Sequence, residues 1–247
     1  MVPELSIIVS QPRARGTAGA LCVATGGFIA GLLGIVLLGV VLPAWIRETV
    51  AFRIAAQHQI QFGFALFGGA LLYFHTRPDQ LCRIRWPTFG DIAWIAVLPP
   101  LMVASGEFVT PMLSAVGLSP PSVGSTGAID LASNPSFWPL AFVVKYLFAA
   151  PAEELLYRGI VQGLLRPAFD RLGIVLISGL LFGLLHLLVG IIQSGVGLES
   201  ALYWGLSTTV PGVIWGYAYE RTENLLVTII AHAMAWTVPL GILTPFV

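Results

Sequence analysis

Residues 17–46 contain no charged side chain. That run exceeds the roughly 20 apolar residues a helix needs to cross bilayer hydrocarbon, and further apolar runs follow it along the chain. Charged residues make up 10% of the 247, where a soluble domain carries about 25%. A soluble core of this size needs a polar coat that so few charges cannot supply. The 12 basic and 12 acidic residues cancel, so no long-range field draws in nucleic acid. The expectation is an all-α, polytopic transmembrane helix bundle with the lipid bilayer as its solvent.

The first run follows Arg13 and Arg15 and is much longer than a signal-peptide core, so it reads as a retained anchor. Its Gly27-x-x-x-Gly31 pair offers a face for close helix approach. Further spans are expected at 54–75, 91–116, 137–159, 172–192, 200–219 and 225–247. Pro99-Pro100 should kink or break the third. Residues 117–136, rich in Ser, Pro and Gly with only Asp130 charged, read as the longest loop. With the N-terminus in the cytoplasm, that side receives Arg13, Arg15, Arg77, Arg83, Arg85, Arg158, Arg166, Arg171 and Arg221. The opposite side receives Arg47 and Arg53, so the bias favours about seven spans, N-in and C-out. Cys22 and Cys82 both fall near the cytoplasmic side, where a disulfide is not expected.

In so apolar a chain, ionisable residues inside spans carry the information. They are Glu107, Lys145, Glu153, Glu154, Arg158, His186 and His232. The segment Glu153-Glu154-Leu155-Leu156-Tyr157-Arg158 is expected at the cytoplasmic end of the fourth span. Glu154 and Arg158, four apart, share a helix face in the favoured ion-pair order. Glu153 lies about 100° away and is left free for chemistry. The plain alternative is a snorkelling polar helix end. His186 sits midway along the fifth span and His232 in the seventh. With Glu153 they form a set from three helices able to hold and polarise one water, with or without a divalent metal such as zinc, whose ligands would be the same three residues. Spacing leaves that choice open. Lys145 is expected to pair with Glu107, with a substrate carboxylate as its other possible partner. His58 and His75 read as interfacial, and most Trp and Tyr residues as an aromatic belt near span ends. There is no Gly-rich phosphate loop, no Gly-x-Ser-x-Gly elbow and no basic-aromatic surface for nucleic acid.

Glu153-Glu154-x-x-x-Arg158, Phe182-x-x-x-His186 and His232, the last preceded by Gly212-x-x-x-Gly216, together resemble the CPBP family. Its members are CAAX prenyl endopeptidases and bacteriocin-processing proteins, also called the Abi family of intramembrane proteases. The resemblance covers about residues 137–240. It implies a four-helix catalytic core at 137–247, preceded by an anchor and three accessory spans at 1–136. It also implies an endopeptidase of the cell membrane, its active site facing the cytoplasm, acting on a membrane-associated or CAAX-like protein or peptide. Under it, Glu153 is the general base and His186 helps hold the attacking water. Glu154 and Arg158 orient Glu153, and His232 stabilises the oxyanion or ligates a metal. The family includes enzymes described as metalloproteases and as metal-free glutamate-dependent ones.

One departure stands out. The family's third motif usually carries Asn or Asp four residues after the histidine, where this chain has Trp236. Indole N–H donates one hydrogen bond but cannot accept, and losing one oxyanion donor slows chemistry by about 100- to 1000-fold. A degenerate scaffold or immunity-type binding protein is therefore the alternative reading. A proton or small-solute transporter is a third, disfavoured by the lack of internal repeats.

Overall fold

The computed structural model describes residues 12–50, 52, 56, 58–121, 135–192 and 196–237. Arg53, the 122–134 part of the expected loop with Asp130, and the 238–247 end of the expected seventh span lie outside the described residues. The described chain is helical, without strands. Helix α1 spans Pro12–Val41, α2 Gln59–Phe74 and α3 Phe89–Ala115. Helix α4 covers 138–165, α5 is Arg171–Ile192, α6 Leu198–Thr222 and α7 Leu225–Thr237. One-turn helices at Ala44–Arg47 and Pro78–Leu81 lie in the connections.

Helices α1, α3 and α5 are long and apolar enough to cross a membrane, by length and composition. They account for three of the seven expected spans. Ile60–Phe74 and Leu225–Thr237 are apolar but shorter, and α4 and α6 carry polar residues along their length. Leu33, Val36, Leu37 and Val40 of α1, and Leu180 and Leu184 of α5, are exposed. In water each such side chain forgoes about 1.5–3 kcal/mol of burial, so this surface suits lipid and marks an integral membrane protein.

Small residues set the packing. A Cβ at Gly63 of α2 would overlap the backbone of Gly27 and Gly31 of α1, so the expected close approach at that pair is realised. Between α5 and α6 the contact is again backbone to backbone. A Cβ at Gly190 would lie 2.9 Å from Ala201 Cα, and one at Gly212 3.1 Å from Gly179 Cα. Bulkier residues would force each pair of axes apart, which is why small residues concentrate at such interfaces. Helix α4 lies among α1, α2, α5, α6 and α7, while α3 packs on α6 and α7.

Helix α3 is not broken at Pro99-Pro100; both prolines and Pro111 sit inside one continuous helix. A proline removes one backbone donor, and helices buried in lipid or protein tolerate this by local adjustment. Its N-terminus carries a capping box, in which Thr88 accepts from Asp91 N and the Asp91 carboxylate accepts from Thr88 N.

The connections gather arginines at one end of the bundle. Arg13 stacks on Phe169, Arg166 pairs with Glu220 at 2.9 Å, and Arg83 pairs with Glu223. Arg85 holds Asp91 and the Thr222 carbonyl. Glu223 occupies the left-handed region at φ 48°, which costs about 1–2 kcal/mol for a residue with a Cβ. Around it, Leu225 N donates to Arg83 O at 2.9 Å and Asn224 Oδ1 accepts from Leu226 N at 3.3 Å. This turn sets the start of α7, two turns before His232.

Candidate active site

The glutamates do not sit at a helix end as expected. The apolar run Leu155, Leu156, Ile160, Val161 continues the helix to Leu165, so Glu153 and Glu154 lie near the middle of α4. From Leu165 back to Glu153 the rise is about 18 Å, roughly half a bilayer's hydrocarbon. Arg158 is correspondingly not a loop arginine of the positive side. It is wholly buried and is the bulkiest fully enclosed side chain described.

Two π-helical stretches, Lys145–Ala149 and Leu155–Val161, flank the α-helical turn Ala150–Glu154 that bears both carboxylates. Pro151 lacks the N–H that would bond Leu147 O, and its ring crowds that carbonyl; the wider preceding turn relieves both. Such bulges recur at functional sites because they re-aim side chains.

Glu154 receives two donors. Arg158 Nη1 lies 3.1 Å and His232 Nδ1 2.7 Å from its Oε1. Arg158 Nη2 also donates to Gly212 O of α6 at 3.2 Å, and its guanidinium stacks 4.7 Å from Phe182 and 5.5 Å from Trp215. Glu153 points to the other side. Gln61 Nε2 of α2 donates to its Oε1 at 2.6 Å. Its Oε2 has no hydrogen-bond partner and faces His232 Nε2 at 3.8 Å. One imidazole thus bridges the two carboxylates, committed to Glu154 through Nδ1 and presenting Nε2 to Glu153.

His186 stands apart. Its Nδ1 donates to Phe182 O at 2.8 Å, which leaves Nε2 as the free nitrogen. It makes no direct hydrogen bond to Glu153 or His232 among the described residues, yet lies within electrostatic range of both. Phe182 fills the space between, its ring 4.5 Å from that of His186, 5.1 Å from Tyr157 and 6.3 Å from His232. Trp236 meets His232 ring to ring at 4.2 Å, and Trp215 stacks on the same imidazole at 4.0 Å. These indoles, with Trp204 5.7 Å from His186, wall the histidines instead of forming a belt at the helix ends.

Lys145 does not pair with Glu107. Glu107 is exposed on α3, which packs on α6 and α7, whereas Lys145 is buried and donates to Trp236 O at 3.4 Å. Ionisable character does not single out Gln61. The signal for it is the polar start of the second span, where Gln57, His58, Gln59 and Gln61 precede the apolar run to Phe74. An uncharged polar group buried in a bundle also demands a partner.

Among the described residues no group of three or more His, Cys, Asp or Glu side chains is arranged to hold a metal ion. Glu153, His186 and His232 as placed do not fit a three-ligand zinc centre, and no step below runs through a metal.

These features define a helical membrane protein with a carboxylate–imidazole centre enclosed midway along α4. Residues 135–238 match the Rce1-like family, described as type II CAAX prenyl endopeptidase Rce1-like. The match spans a little less than half of the chain. No curated protein and no solved structure matches the chain.

Proposed function

We propose that the protein is an intramembrane endopeptidase that hydrolyses a peptide bond of a membrane-associated protein or peptide with a water activated by Glu153. The observation that carries this reading is the unpartnered Glu153 Oε2 facing His232 Nε2 at 3.8 Å. A free carboxylate oxygen in an enclosed site is a base with nothing else to do, and the restricted water strengthens each electrostatic term there.

The chain's own residues divide the work. Gln61 fixes one oxygen of Glu153 and so aims the other. The bare Nε2 of His186 accepts from the water, and Glu153 Oε2 takes the proton as the oxygen attacks the scissile carbonyl. His232, anchored to Glu154 through Nδ1, turns Nε2 to the oxyanion. Glu153 then returns the proton to the leaving amine. Arg158 holds Glu154 in place, which makes Glu154 and Arg158 positioning residues. The Rce1-like match supports the protease class, and the arginine-rich end supports an N-in orientation in the cell membrane with the site reached from the cytoplasm. The test is cleavage of membrane-anchored and CAAX-like peptides by the purified protein in nanodiscs beside Glu153→Gln. Equal cleavage by both forms removes this mechanism.

A second reading rests on Trp236, which packs its ring against His232 where the family places a small polar side chain. In that reading the pocket binds a peptide without cleaving it. Tight peptide binding with no turnover, unaffected by Glu153→Gln, would establish it.

A further inference from the structure

Below the carboxylates, a row of polar side chains runs along α4 to the arginine-rich end. Glu154, Arg158, Gln162 and Arg166 follow one another at four-residue intervals, the spacing that stacks side chains on one helix face. Helix α6 runs beside them in register. Arg158 reaches Gly212 O, a Cβ at Gly216 would come to 2.6 Å from Gln162 Nε2, and Arg166 pairs with Glu220. The row begins at the enclosed ion pair and ends at the partly exposed Arg166.

Gln162 is the anomaly in this row. It is fully buried, and neither its Nε2 nor its Oε1 has a hydrogen-bond partner. Arg158 Nε on α4 and Trp215 Nε1 on α6 are also buried and unpartnered. Leaving an amide unsatisfied in an apolar interior costs about 1–3 kcal/mol per group, and natural interiors meet such groups with ordered water that makes about three hydrogen bonds.

We propose that the α4–α6 interface is a water-binding seam, with Gln162 as its central station, that links the buried Glu154–Arg158 pair to the aqueous arginine-rich end. The ligand is water, bound to the Gln162 amide, Arg158 Nε and Trp215 Nε1. The seam stands on those orphaned groups alone. Its use as the supply of the reactant water rests on the hydrolase reading above, since hydrolysis at mid-membrane consumes one water per turnover that lipid cannot furnish.

Radiolytic hydroxyl-radical labelling of the full-length protein in nanodiscs tests the seam directly, because radicals form from water in contact with a side chain. Trp215 and Tyr203 are both buried, and Tyr203 bonds Thr110 at 2.8 Å away from the seam. Indole and phenol rings react with hydroxyl radicals at comparable rates, so Trp215 should label several-fold faster than Tyr203, and Gln162→Leu should erase the difference. Equal labelling of the two rings in the unaltered protein overturns the proposal, a result that needs no variant to fold. In turnover, Gln162→Leu should lower kcat about tenfold with KM unchanged, and Gln162→Glu, which still binds water, should restore most of it. Fast Trp215 labelling with kcat untouched in Gln162→Leu would overturn the supply role. Fast labelling in a protein that cleaves nothing would leave the seam and remove the hydrolase reading.

Discussion

Replacing Glu154 by leucine removes the acceptor from two buried donors at once. Arg158 is left as a wholly buried cation whose remaining polar contact is the Gly212 carbonyl at 3.2 Å. Breaking a buried ion pair from one side costs about 3–5 kcal/mol, because the surviving charge has lost its compensation. At about 2–4 °C per kcal/mol for a chain of this size, the melting temperature should fall on the order of 10 °C. Arg158→Leu should cost a similar amount, leaving the carboxylate with His232 alone and losing the stacking on Phe182 and Trp215. The double substitution Glu154→Leu with Arg158→Leu removes both charges. Its residual cost is about 1–3 kcal/mol for the His232 Nδ1 left without an acceptor. The double variant should therefore be more stable than either single one. Thermal unfolding in a mild detergent, read by tryptophan fluorescence, closes the cycle. Single substitutions costing under about 1 kcal/mol, or a double variant as unstable as the two singles added, would refute the ion-pair account.

Other outcomes follow from the same geometry. Glu153→Gln should cut turnover about 100- to 10,000-fold, the range of a lost general base, while shifting the melting temperature little. Gln61→Leu should lower kcat about tenfold by releasing one Glu153 oxygen, with peptide KM near its original value. Gly63→Leu should force α2 away from Gly27 and Gly31 and so mimic Gln61→Leu while also destabilising the protein, which a thermal melt beside the activity assay would show. Turnover should persist in excess EDTA, and its abolition with recovery on adding zinc would overturn the metal-free steps. Burial pushes the Cys82 thiol above its usual range, opposed by the nearby Arg166. A raised thiol holds its proton at neutral pH, so maleimide labelling of Cys82 in a Cys22→Ser background should be slow near pH 7 and accelerate as pH rises.

Much of this arrangement is legible in the sequence. Glu154 and Arg158 meet because four-residue spacing puts them on one face, and Gly27 and Gly31 mark a close helix crossing. The depth of the glutamates is not legible, since Arg158 reads as the end of a span without its partners on α5 and α6. A charge that snorkels and a charge neutralised inside a bundle look the same in one dimension. The role of His232 as a bridge between two carboxylates also escaped, because it depends on which ring nitrogen faces which oxygen. Lys145 failed for a different reason. Pairing opposite charges assumed that α3 and α4 are neighbours, and α3 instead packs on α6 and α7.

The glycine contacts also decide how this bundle can come apart. Where α1 meets α2, and α5 meets α6, backbone lies on backbone, and no side chain can swing aside to loosen the join. Each pair moves as a plank. Glu153 is tied to its neighbours differently, to α2 by the Gln61 amide and to α7 by one imidazole. Links of that kind give way for about 1 kcal/mol each. Under the proposed function, the Gln61 amide is a contact that an entering peptide can displace from Glu153 at that cost, without parting the α1–α2 plank.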